Sequence, residues 1–132
     1  MNRPLVTIEL DRTELEPGDM LSGRYAIDPQ SVPLAASVEV SVYWNTEGKG
    51  CEDRAVQYRK RGSTEDGPLF DEQGTGPFAV RLPRAPLSYD GVLVKILWSI
   101  QVRVTFAGGA ESEADASFRL GHVGPVAEVA HA

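Results

Sequence analysis

The longest alternating pattern in the chain runs from Val92 to Phe106, VLVKILWSIQVRVTF. Its even positions are Val92, Val94, Ile96, Trp98, Ile100, Val102, Val104 and Phe106, all apolar and β-branched or aromatic. Between them stand Lys95, Ser99, Gln101, Arg103 and Thr105, with Leu93 and Leu97 the two apolar exceptions. A period of two fits a strand and does not fit a helix. Burying that apolar face contributes about 12–24 kcal/mol before entropy, an upper bound. Drawn out straight, the stretch would span roughly 50 Å, far beyond an ordinary strand. It is therefore expected to bend, or to serve two sheets in turn. Leu93 and Leu97 make its first half apolar on both faces, as a covered central strand requires.

Six further stretches alternate in the same way. Leu5–Leu10 puts Val6, Ile8 and Leu10 on one face. After the Pro17-Gly18-Asp19 turn signal, Met20–Ile27 does so with Leu21, Tyr25 and Ile27. Gly23 interrupts it, which marks a bulge or a close backbone approach. Ser37–Trp44 aligns Val38, Val40, Val42 and Trp44 against Glu39, Ser41 and Tyr43. Asp53–Arg61 is weaker and highly charged, with Val56 and Tyr58 expected inward; its charges predict an edge strand. Pro77–Pro83 carries Phe78, Val80 and Leu82 inward, and Glu113–Leu120 carries Ala114, Ala116, Phe118 and Leu120. Gly108-Gly109 is a hairpin signal between the last two strands. Asp28–Pro33 and Asn45–Cys51 read as connections. Gly62–Pro77 lacks periodicity and reads as a long, acidic, mobile loop, with Leu69 and Phe70 as anchors. Seven strands at short spacing, with polar turns, predict an all-β, antiparallel, two-sheet sandwich over residues 1–121. Residues 122–132 form a tail poor in large apolar groups, and its helical stretch Val126–Ala132 is too short to stand alone.

Composition narrows the function. The chain has 132 residues, enough for one domain with a real core, and a formal net charge of -6. Nucleic-acid binding and attraction to an anionic membrane need cations in excess, so neither is expected. Cys51 is the only cysteine, so no internal disulfide can form. The start MNRPLVTIEL has no apolar signal region, and no apolar run is long enough to span a membrane. A cytoplasmic protein is expected.

The motifs along this frame share an order with a known family. Glu16-Pro17-Gly18-Asp19-Met20-Leu21-Ser22-Gly23 resembles the second-strand entry of arrestin-like β-sandwiches, "P-G-(D/E)-x-(hydrophobic)-x-G". Phe78–Pro83, then Ala85-Pro86-Leu87-Ser88-Tyr89-Asp90-Gly91, then the long strand with Trp98, is similar to the family's "F-x-(hydrophobic)-P … P-x-S-(Y/F)-x-G … (hydrophobic)-x-W" segment. Each motif is short, and it is their joint order over Leu5–Leu120 that is specific. The resemblance implies the same immunoglobulin-like sandwich and a non-enzymatic adaptor or scaffold that binds other proteins. Arrestins and the related retromer subunit carry two such sandwiches, and this chain has room for one. By analogy a homodimer would recreate the pair. The arrestin phosphate-sensing and polar-core residues have no counterpart here, so phospho-receptor binding is not implied.

Candidate chemistry is sparse. Arg59-Lys60-Arg61, with Arg54, is the main basic cluster in an acidic chain. Such a cluster can bind a carboxylate or phosphate on a protein partner; its plain alternative is a solvated edge protected by charge. Glu65, Asp66, Asp71 and Glu72 lack the spacing of a calcium loop. Cys51, His122 and His131 lack zinc spacing. Nucleophile, phosphate-loop and zinc-protease motifs are missing. The residues thus call for no catalytic group, metal or cofactor. Trp44 and Trp98 are expected in the core. Two rivals to the adaptor remain: a structural homo-oligomer whose edges pair with copies of itself, and a small-ligand module, which needs a concave pocket with convergent polar groups.

Overall fold

The computed structural model describes residues 6–48, 53–90 and 94–121. Among the described residues nine strands follow in chain order: β1 Thr7–Leu10, β2 Glu14–Leu15, β3 Met20–Ala26, β4 Ala35–Gly48, β5 Arg54–Ser63, β6 Thr75–Arg81, β7 Tyr89–Asp90, β8 Val94–Phe106 and β9 Glu111–Leu120. They form two sheets, β1-β3-β6 and β2-β9-β8-β4-β5, with β7 pairing on β8. The expected all-β sandwich is what the chain builds, and all seven expected strands are present. The two short additions, β2 and β7, are two residues each and carry no alternation long enough to read.

The inner faces meet in one core. Leu21, Tyr25, Ile27, Phe78, Val80 and Leu82 from the small sheet side pack with Val38, Val40, Val42, Trp98, Ile100, Val102, Val104, Phe118 and Leu120. Trp98 is fully buried and tilts against Phe118, ring centroids 6.0 Å apart. Trp44 is half-buried against the same core, and its indole N–H finds no acceptor among the described residues.

The family-like motifs have structural jobs. Pro17 and Gly18 form a tight turn closed by Asp19 N–H donating to Glu16 O at 3.0 Å, with Gly18 at φ 86°. Gly23 marks a close approach and no bulge: a Cβ there would lie 2.1 Å from Glu9 O. Pro86 O accepts the Trp98 indole N–H at 2.8 Å, and Ser88 Oγ accepts Leu120 N–H at 2.9 Å. The segment before the long strand therefore ties β8 and β9 to their entry loop.

Several expectations need correction. β8 does not serve both sheets; it lies in one, paired with β4 along its whole length and with β9 over Trp98–Thr105. Asn45–Gly48 belongs to β4, because the alternation of β8 extends far enough to hold it. Part of the expected loop at residues 28–33 is a short 3-10 helix, Pro29–Leu34, capped by the Asp28 carboxylate. The stretch at 62–77 is built rather than loose. β5 continues to Ser63, a 3-10 turn covers Thr64–Asp66, and Phe70 is buried edge-on against Tyr25 at 5.3 Å. Tyr25 Oη donates to Leu69 O at 3.0 Å. Val56 points outward, not inward. Val42 pairs with Tyr58 and Tyr43 with Val56, so Gln57 is an extra residue that flips the alternation. Val56 is left 42% exposed. Cys51, Leu93, His122, His131 and the tail 122–132 lie outside the described residues.

Candidate protein-binding edge

β5 ends the large sheet, with β4 on one side and no described strand on the other. Its outer backbone groups form the row that an added strand would pair with. The alternation distributes the four basic residues. Arg59 and Arg61 pair with Ser41 and Glu39, on the outer face of the sheet. Arg54, beyond the extra residue Gln57, pairs with Asn45 and returns to that same face. Lys60 pairs with Val40 and faces the inter-sheet side.

Their surroundings differ. The Arg54 guanidinium lies over the Tyr43 ring, 3.8 Å from its centroid. That stack ties it to the sheet. Arg59 Nε is 3.8 Å from Glu39 Oε1, with the arginine side chain 60% exposed. Arg61 Nη2 donates a long bond to Ser37 Oγ at 3.4 Å. Surface pairs of this kind hold little energy and release readily to a better partner. So the structure brings Arg59 and Arg61 together, sets Arg54 apart, and turns Lys60 to the other side.

Lys60 reaches a feature that sequence reading missed. Between the β5 edge and the β6 edge the two sheets part into a cleft of about 270 Å³, lined by Tyr25, Val40, Tyr58, Lys60, Leu69 and Phe78 among others. The small sheet is three strands wide and stops short of β5. Only strand order creates this mouth, so no local pattern could have disclosed it. The Tyr25 hydroxyl is already donated to Leu69 O, and burial raises its pKa, so it stays a neutral wall of the cleft.

The acidic residues beyond β5 do not converge. Asp71 Oδ1 accepts Gln73 N–H at 2.8 Å and Thr75 N–H at 3.0 Å, and Oδ2 accepts the Thr75 hydroxyl at 2.6 Å. Those bonds hold its pKa below the usual carboxylate value and occupy its oxygens in shaping the turn. Among the described residues no three acidic, cysteine or histidine side chains gather as a metal would need. No helix among them is long and apolar enough to cross a membrane.

No family model and no curated protein matches the sequence. Among solved structures the fold is similar to that of Spo0M, a sporulation control protein from Bacillus subtilis. The TM-score is 0.64 at 13% identity, over 92% of this chain and 50% of that one. A superoxide reductase (neelaredoxin) from Ignicoccus hospitalis is similar at TM-score 0.49 and 13% identity, over 88% of this chain and 80% of that one. The chain thus spans about half the length of the Spo0M chain. What the Spo0M likeness shows is the fold, an all-β sandwich of two packed sheets.

Proposed function

We propose that this chain is a non-enzymatic, cytoplasmic adaptor of arrestin-like type, binding an extended acidic segment of a partner protein along β5. The observation that carries the reading is the edge itself. β5 is ten residues long, borders no further described strand, and presents Arg59 and Arg61 side by side in a chain of net charge -6. An added strand gains affinity from main-chain hydrogen bonds, and its carboxylates gain specificity from the two guanidinium groups. The arrestin-like order of motifs supports an adaptor. So does the fold likeness to Spo0M, which is named as a sporulation control protein.

The test is capture from a lysate of the source cell on immobilised wild-type protein and on Arg59→Glu/Lys60→Glu/Arg61→Glu. The captured partner is then checked by hydrogen exchange. The reading expects a partner retained by the first and lost by the second, with slowed exchange at residues 54–63 in the complex. Identical retention by both forms, or protection elsewhere on the molecule, overturns it.

A further inference from the structure

The outer face of the large sheet carries its charges in rows. In register across four strands, one row reads Glu113, Arg103, Glu39, Arg61, from β9 through β8 and β4 to β5. The signs alternate strictly along it. The next row reads Asp115, Gln101, Ser41, Arg59. Both rows begin in an acid at one edge and end in a cation at the other. A sheet whose rows start negative and end positive is complementary to its own translated copy.

The backbone agrees with the charges. Strands β9, β8, β4 and β5 are antiparallel in succession, so the β9 of a following copy would continue the alternation of direction. In an antiparallel ladder each residue points its N–H and C=O to one side only, so hydrogen-bonded and non-bonded pairs alternate along a row. Four strands is an even number, so Arg59 and Asp115 of one row present the same backbone phase at the two edges. The pairing is therefore in phase as well as opposite in charge. Two irregularities bound it. On β5 the extra residue Gln57 ends the regular ladder below Tyr58. On β9 the short strand β2 already pairs with Arg119 and Leu120, and no described strand pairs with Glu113–Ala116 on that side.

We propose that copies of this chain assemble by pairing Tyr58–Arg61 of one copy antiparallel to Glu113–Ala116 of the next, with Arg61 opposite Glu113 and Arg59 opposite Asp115. The contact is heterologous, so it leaves one basic and one acidic edge open at the two ends and grows into a twisted strand of copies. Opposite charges across a strand pair stabilise it, and like charges oppose it. It uses the same β5 edge as the adaptor reading but does not depend on that reading. A partner's acidic segment and a second copy would compete for one edge.

Sedimentation of the purified chain over a concentration series tests this without any partner present. The wild type is expected to gain mass with concentration, and less so in high salt. Arg59→Glu/Arg61→Glu and Glu113→Lys/Asp115→Lys are each expected to associate about tenfold more weakly or worse, because like charges then meet. An equal mixture of the two variants should regain growth, since every edge again meets its opposite. A wild type that stays monomeric up to its solubility limit overturns the proposal. So does growth that neither variant weakens. Asp115 also serves Tyr43, so the acidic-edge variant is checked for folding by circular dichroism. Should it not fold, hydrogen exchange of the wild type decides: protection that rises with concentration at 58–61 and 113–116 supports the pairing, and its absence there ends it.

Discussion

On the inner face of β4 and β8, Val38, Val42, Trp98, Ile100, Val102 and Val104 are buried beneath apolar side chains of the small sheet. On the outer face of the same two strands, Ser37, Ser41, Tyr43 and Ser99 are buried as well, under polar neighbours rather than a second apolar layer. Tyr43, at 8% exposure, lies under the Arg54 guanidinium and donates its hydroxyl to Asp115 across β8. The serines sit low between longer neighbours in register, among them Glu39, Arg59, Gln101 and Arg103. One strand pair thus excludes water in two ways, by a hydrophobic layer and by a canopy of long polar side chains. Burial alone does not identify a core. The inner face is held by area removed from water, the outer face by directional bonds, and perturbations should separate them.

Trp98→Ala should have the largest effect. It empties the centre of the core and orphans Pro86 O, and about 3–5 kcal/mol of stability should be lost in urea unfolding. Gly23→Ala comes next. The added methyl meets Glu9 O and the Phe78 ring, so β1 must move off β3, and about 1–3 kcal/mol is expected. Tyr43→Phe probes the canopy alone. It leaves the ring and its arginine stack but removes the hydroxyl from Asp115, for about 1–2 kcal/mol.

A pH series sharpens the same contrast. Burial, and then the hydrogen bond to Asp115, raise the Tyr43 pKa above 10.0, and burial raises that of Tyr25. Above about pH 10 the unfolded chain ionises these phenols first, so their contribution is full below that pH and is lost as pH rises through the folded values. The urea midpoint should fall as the pH rises past about 10, and Tyr25→Phe/Tyr43→Phe should flatten that fall. A midpoint drop of the same size in the double variant would assign the loss to other groups. The smallest change belongs to Glu113→Gln. The Arg103–Glu113 bond at 3.1 Å sits at the surface, so stability should shift by no more than about 0.5 kcal/mol. That same variant should nonetheless weaken self-association, because its carboxylate lies in the charge row.

Much of the frame was legible along the chain. For β8, eight alternating apolar positions specify a strand whatever surrounds them, and Trp98, Ile100, Val102 and Val104 are where that pattern puts them. The basic cluster was legible as residues but not as a site. Alternation already implied that Lys60 opposes Arg59 and Arg61. It could not show that Gln57 would be an extra residue, which returned Arg54 to their face and turned Val56 outward. Phe70 was a correct anchor, yet its loop looked featureless because Asp71, Thr75 and Tyr25 act through contacts that leave no period in the sequence.

Alternation is a local property, set by the two-residue period of the pleat, so wherever a strand runs without an extra residue the sequence dictated which side chains share a face, and hence the strands, most of the core and the sandwich. Strand order is a matter of partners far apart in the chain. It was left to the folded molecule to decide that β5 and the part of β9 beyond β2 become edges among the described residues, that the small sheet stops short and opens a cleft beside Lys60, and that Glu113, Arg103, Glu39 and Arg61 line up in one row. The physical reason is that pairing is chosen by the summed fit of whole strands, and no single stretch carries that sum.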